Sequence, residues 1–317
     1  MATADNHFEP ISYLLSRQDK RGFARQLGRS VRETGFAVIN DHGLDPTVLD
    51  RGVAAARAFF ALPDPVKRSY FEPALSGQRG YTPFGVEVAK GAVKHDLKEF
   101  WHVGRELPED DPQRAVMPDN LYVAEIPGWK ATTGAMFDAL DSLGVDILSA
   151  IALDLDLPPR FFDDSVRNGN SILRMLHYPA QPAPPAEGSV RAGAHEDINV
   201  ITLLLGAEEG GLEVRHRNGQ WLGVNPPPGS LVVNIGDMLQ RQTNNVLPST
   251  SHRVVNPKPE RSRFARYSTP YFLHFRPDYE IRTLPGCMGS DRPDLYPEPI
   301  NAQDFLLQRL KEIGLKK

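Results

Sequence analysis

The chain has 317 residues, 40% hydrophobic and 24% charged, with 36 basic against 40 acidic side chains and a net charge of -4. At about 150 residues per domain this length allows two domains, or one large β-rich unit with a flanking part. The near balance of charge argues against a nucleic-acid or anionic-membrane partner, which needs clustered Lys and Arg. The single cysteine, Cys287, excludes an internal disulfide framework and sulfur-ligated zinc or iron–sulfur sites.

The same lone cysteine, a polar stretch from Met1 to Pro10 and the lack of any long apolar run lead us to expect a cytoplasmic protein without a signal peptide or membrane span. Pro 28 and Gly 26 make about one residue in six a turn-former, against about one in eight on average, so the chain turns often.

In chain order, Phe23, Leu27 and Val31 recur every four residues, which predicts an amphipathic helix over Arg21–Thr34 ending at Gly35. Phe36–Asn40 (FAVIN) reads as a short buried strand. Asp45 as N-cap and Pro46 at the first helical position open a second helix, carrying Val48, Leu49, Val53, Ala56 and Phe60, that should stop before Pro63. Met136, Leu140, Leu143, Ile147 and Ile151 mark a third helix from Ala131 to about Asp154. The proline-spaced stretches Glu106–Pro118 and Pro179–Pro185 read as loops.

From about Asn170 the texture changes to seven β-rich runs: Ser171–Tyr178, Gly193–Leu205, Gly211–Arg217, Trp221–Val224, Ser230–Ile235, Ser251–Val255 and Arg266–Phe275. Short runs at this spacing, broken by Gly and Pro, predict an antiparallel sandwich or barrel. Asn218-Gly219 suggests a tight hairpin, and Gly236-Asp237 a turn before a strand, with Asp237 structural. A last helix over Ala302–Lys316, facing solvent, presents Phe305, Leu306, Leu310 and Ile313 on one side.

Nine histidines are scattered along the chain, and His195-Glu196-Asp197 stands out among them. On a strand, residues i and i+2 share a face about 7 Å apart, so an imidazole and a carboxylate converge on one ion. A bare H-x-D is more often a polar pair in a hairpin than a metal site; context has to raise it. His252, on a separate run that could lie across the barrel, supplies a second imidazole. Two His and one carboxylate leave one side of the metal open, as non-haem Fe(II) oxygenases require. Arg266 and Ser268 again share a face and suit a carboxylate, although without a nearby metal a rim salt bridge is the plainer reading of Arg266.

The ordered set His195-x-Asp197, His252 and Arg266-x-Ser268 resembles the Fe(II)/2-oxoglutarate-dependent oxygenase superfamily, in its isopenicillin N synthase-like branch. Val31–Leu44 (VRETGFAVINDHGL), Gly77–Tyr81 (GQRGY), Leu173–Pro179 (LRMLHYP) and Val232–Leu239 (VVNIGDML) carry the likeness across residues 8 to 280. The resemblance implies a mixed, mainly β fold, with a double-stranded β-helix (jelly-roll) core and flanking N-terminal helices. It divides the chain into an N-terminal helical region with edge strands (1–165), the jelly-roll core (166–280) and a C-terminal extension with a helix (281–317).

It also implies that His195, Asp197 and His252 bind Fe(II), that Arg266 and Ser268 hold the distal carboxylate of 2-oxoglutarate, and that Tyr178 assists. Leu176 stands where many relatives have Asn, which removes one cosubstrate hydrogen bond. His42 resembles a structural loop residue. The implied reaction consumes O2 and 2-oxoglutarate, releases succinate and CO2, and oxidises a small molecule by hydroxylation or a related step.

Strand parity places Arg174 on the face of Tyr178, as a contact for a substrate carboxylate or else in a buried pair with Asp or Glu. The same parity puts Asn199 on the face of Asp197. Phe84 is a further substrate candidate; Trp101 and His102 read more plainly as core. Two alternatives stay open: an oxidase of this fold that does not use 2-oxoglutarate, of the isopenicillin N synthase or aminocyclopropane carboxylate oxidase type, and a catalytically silent jelly-roll binding protein. We expect a monomer or weak homo-oligomer whose partner is a small molecule, with no nucleic acid and no membrane.

Overall fold

A computed structural model describes residues 8–75, 77–87, 95–181, 189–205, 210–257 and 259–312. The helices are α1 (Leu15–Gln18), α2 (Lys20–Thr34), α3 (Pro46–Phe60), α4 (Asp64–Arg68), α5 (Trp129–Asp154), α6 (Asp163–Val166), α7 (Asp237–Gln242) and α8 (Ala302–Glu312). Local chemistry sets their ends. Asp19 and Asp45 accept from the backbone N–H of Gly22 and Thr47 and so cap α2 and α3. Gly35 closes α2 in the left-handed conformation (φ 75), where a side chain would also strike Pro248 and Thr250.

The strands are β1 (Pro10–Ser12), β2 (Phe36–Asn40), β3 (Gly80–Thr82), β4 (Glu99–Gly104), β5 (Ile172–Tyr178), β6 (Ala192–His195), β7 (Ile201–Leu205), β8 (Leu212–Arg215), β9 (Trp221–Gly223), β10 (Leu231–Ile235), β11 (His252–Val254), β12 (Arg266–Leu273), β13 (Glu280–Ile281) and β14 (Ile300–Asn301). Eight form one sheet in the order β1-β2-β10-β7-β12-β5-β4-β3, and four form a second in the order β6-β11-β8-β9. Phe36, Val38 and Val232 of the first sheet cluster with Leu212 and Val214 of the second and with Val224 just past β9, so the two pack face to face as a jelly-roll. The outer face of the large sheet, with Trp101, Leu173, Met175, Leu203, Tyr271 and Leu273, packs into one core with α2, α3 and α5. No helix among the described residues is long and apolar enough to cross a membrane.

Three expectations need correction, whereas the tight hairpin expected at Asn218-Gly219 is present. Gly193–Leu205 is not one strand but two, β6 in the small sheet and β7 in the large one, joined by residues 196–200. An unbroken strand cannot serve both sheets, and the connecting loop is held instead by backbone bonds to Gly236, Asp237 and Met238. His252 does not lie across the barrel; β11 is the immediate neighbour of β6. Gly236-Asp237 precedes a helix, not a strand. The hairpin between β8 and β9 closes through three residues, Arg217 to Gly219, because His216 and Gln220 still bond (2.8 Å) and Gly219 takes the left-handed conformation (φ 87) of a bulged turn. Residues 182–185 and 313–316 of the expected loop and last helix lie outside the described residues.

Candidate metal centre and active site

His195 ends β6 and His252 begins β11, and the two are directly paired in the ladder. Asp197 sits two residues past His195 in the loop between the sheets. The Nε2 atoms of His195 and His252 each lie 3.8 Å from Asp197 Oδ1, too far for a hydrogen bond and suited to sharing one ion. One donor atom from each residue falls within 4.8 Å of the others.

The hydrogen bonds around these atoms decide which of them are available. His195 Nδ1 meets the carbonyl of Gly193 at 2.8 Å and His252 Nδ1 the carbonyl of Thr250 at 3.1 Å. A carbonyl only accepts, so each ring carries its proton on Nδ1 and turns the Nε2 lone pair inward. Burial and the neighbouring His252 ring push the His195 pKa down, which keeps that ring neutral. The other Asp197 oxygen, Oδ2, accepts from Thr202 Oγ1 (2.6 Å) and Asn234 Nδ2 (2.8 Å). Burial pushes this carboxyl up, but the two histidines and these hydrogen bonds outweigh it and hold the pKa below the usual value. The result is an anionic carboxylate faced by the Nε2 atoms of two imidazoles.

The inner face of the large sheet follows from register. Thr202 is paired with Asn234 on one side and Phe272 on the other, so Ser268 and Arg266, four and six residues before Phe272, share its face. Arg266 lies opposite Tyr178 and Ser268 opposite Leu176. Arg266, Ser268 and Tyr178 are all buried, and the guanidinium stands 5.0 Å from the Tyr178 ring centroid.

The comparisons with known proteins agree with this geometry. Residues 9–125 match the family described as non-haem dioxygenase in morphine synthesis N-terminal, and residues 169–275 match the 2OG-Fe(II) oxygenase superfamily. A 2-oxoglutarate-Fe(II) type oxidoreductase, hxnY of Emericella nidulans, is 34% identical over 92% of this chain and 85% of its own. The chain belongs to the 2OG-Fe(II) oxygenase superfamily. A solved member from Caulobacter crescentus is 56% identical with a TM-score of 0.91, covering 97% of this chain and 99% of its own. A full-length Neurospora crassa protein solved with alpha-KG is 30% identical with a TM-score of 0.85, covering 98% of each chain.

The superfamily's cofactors are Fe(II), 2-oxoglutarate and O2, and this chain is a 2-oxoglutarate-dependent dioxygenase. Its donor set fits the metal: two imidazole nitrogens and one carboxylate oxygen suit Fe(II) and leave one side open.

Arg174 faces inward, as parity predicts, opposite His102. His102 Nδ1 meets the carbonyl of Gly77 (2.6 Å), which leaves Nε2 to accept from Arg174 Nε (2.6 Å). Burial, and then Arg174, push the His102 pKa well down, so it serves as a neutral acceptor. The guanidinium stacks on Phe100 at 4.3 Å and reaches Glu87 at 3.5 Å. Glu87 pairs more closely with Lys98 (2.7 Å), which also meets Asp96 (2.8 Å), and Asp96 accepts from Gly193 N–H beside His195. Thus the buried pair expected for Arg174 exists, within a four-membered ion cluster that reaches the ligand strand.

Asn199 departs from expectation, because residues 196–200 form no strand and parity does not apply there. Its amide donates to the Ile201 carbonyl (2.8 Å) and Thr202 Oγ1 (3.0 Å), which bind it to the loop junction. Phe84 is exposed after β3, edge-on to His95. Trp101 is core, and His102 is buried too, packed on Phe100 and bonded to Arg174 on the inner face. Sequence reasoning missed Thr202, Asn234, Lys98, Glu87 and Asp96. Only Asn234 left a signal, a polar residue inside the apolar strand VVNI.

Proposed function

We propose that His195, Asp197 and His252 hold Fe(II), and that Arg266 and Ser268 bind the distal carboxylate of 2-oxoglutarate against the Tyr178 ring. The observation that carries the reading is the pair of backbone carbonyls that leave both Nε2 atoms free to face one Asp197 oxygen. When bound, Fe(II) supplies the redox chemistry that couples oxidative decarboxylation of 2-oxoglutarate to oxidation of the substrate. The protein's own work is to orient. Thr202 and Asn234 keep Asp197 aimed and ionised, Arg266 and Ser268 fix the keto acid at its far end, and the buried sheet faces keep bulk water from the reacting groups.

Arg174 is assigned to the primary substrate, a small molecule carrying a carbonyl or carboxylate acceptor, and exposed Phe84 to the entrance. The Neurospora relative's complex with thymine is in keeping with a small-molecule substrate of this kind. We assign the catalytic unit to residues 166–280, with 1–165 packed on it and 281–317 as an extension. The balanced charge speaks against a nucleic-acid or membrane partner and the single cysteine supports a cytoplasmic protein, which we take to be a monomer or weak homo-oligomer. Iron-loaded protein incubated with 2-oxoglutarate and a panel of amino acids, aromatic acids and nucleobases should release succinate and CO2, faster with its own substrate. Iron-loaded protein that binds no 2-oxoglutarate by calorimetry overturns the reading.

A further inference from the structure

The loop that carries Asp197 is zipped to the start of α7. Gly236 N–H donates to the Val200 carbonyl (2.9 Å), Asp237 N–H to the Asp197 carbonyl (2.7 Å) and Met238 N–H to the Asn199 carbonyl (3.1 Å). The main chain of the carboxylate ligand is therefore held by Asp237. The side chain of Asp237 is only 7% exposed, and its Oδ2 lies 2.9 Å from Arg309 Nη2 on α8. A buried carboxylate without a partner is costly enough to move its backbone or take up a proton.

Helix α8 is itself pinned. Phe305 and Ala302 are buried, Ala302 N–H donates to the Tyr279 carbonyl (2.8 Å), and Arg309 Nη1 is also paired with Glu312 (2.6 Å). An anchored cation from the C-terminal helix thus meets the residue that fixes the ligand loop. We propose that Arg309 is a positioning residue for the metal centre: through Asp237 and its bond to the Asp197 carbonyl, α8 sets where the carboxylate ligand stands. This rests on the reading of His195, Asp197 and His252 as ligands.

The test is titration of the full-length apoprotein with Co(II), read by its visible absorption, alongside thermal unfolding. Partners behind metal ligands typically affect affinity by about 10- to 100-fold. Arg309→Ala should weaken Co(II) binding about tenfold and alter the band. Asp237→Asn, which keeps the backbone N–H, should do the same, and Arg309→Lys should restore most of the affinity. If Arg309→Ala does not fold, Asp237→Asn and Arg309→Lys decide. Wild-type Co(II) affinity and spectrum in Asp237→Asn and Arg309→Ala, even with a lowered melting temperature, overturn the proposal, provided Asp197→Ala loses the metal. Should Asp197→Ala bind Co(II) normally, the ligand assignment is what fails.

Discussion

His252 lies directly opposite His195 in the ladder between β6 and β11, ring centroids 4.4 Å apart, with both Nε2 atoms turned to one oxygen of Asp197. Two imidazoles and one carboxylate preorganised in this way bind a divalent ion in the native state and not in the unfolded chain. Fe(II) or Co(II) at about 100 times its dissociation constant should therefore raise the unfolding free energy by about 2.7 kcal/mol. Chemical denaturation with and without the metal checks this. Asp197→Ala or His252→Ala should remove the increment, and an undiminished increment in both would falsify the assignment.

Thr202 and Asn234 both donate to Asp197 Oδ2, from paired positions on β7 and β10. Thr202→Val keeps the volume and removes one donor, so metal affinity should fall about 10-fold or more, with the fold intact by circular dichroism. Equal affinity in wild type and variant would show that the hydroxyl does not aim the ligand.

Gly236 meets the same loop from the other side. A Cβ there would lie 2.1 Å from the Asn199 carbonyl oxygen, and that oxygen belongs to backbone two residues past the ligand. Gly236→Ala should push the loop, lower the melting temperature and weaken metal binding together. A variant with wild-type Co(II) affinity and stability would mean that the loop can yield at little cost.

His274 is 7% exposed, and burial lowers its pKa from 6.5 to about 4. Between those values the unfolded chain holds a proton that the folded protein does not, so stability is complete above about pH 6.5 and is lost as pH falls toward 4. The contribution is up to about 1.4 kcal/mol per pH unit in that window. In metal-free protein, His274→Gln should flatten this part of the acid limb relative to wild type; an unchanged slope places the acid sensitivity elsewhere.

Arg266 and Ser268 should divide their effects by charge. Both donate to a carboxylate, and a hydrogen bond to a charged group is worth about 1.5–3 kcal/mol, but the guanidinium brings paired donors and the opposite charge where the hydroxyl brings one neutral donor. Arg266→Ala should raise the KM for 2-oxoglutarate about 100-fold or more, and Ser268→Ala about 10-fold. Steady-state succinate formation measures both, and a KM unmoved in Arg266→Ala would remove it from the cosubstrate site.

The amino-acid sequence by itself determined the helices α2, α3 and α5, the position of most strands and the three candidate ligands, because each leaves a local signature: four-residue apolar steps, Asp45-Pro46 at a helix start, H-x-D beside β-rich runs. Tertiary structure decided the rest. That Asp197 stands off the strand, that His252 neighbours β6, and that Thr202, Asn234 and Arg309 support the site all depend on which segments meet across the two sheets. No periodicity along the chain records such meetings, since a hydrogen bond between Thr202 and Asp197 or an ion pair between Arg309 and Asp237 leaves each residue looking like ordinary polar surface. The excess of Pro and Gly, evident from composition alone, takes its meaning from the same cause. A chain that changes sheets this often must turn often.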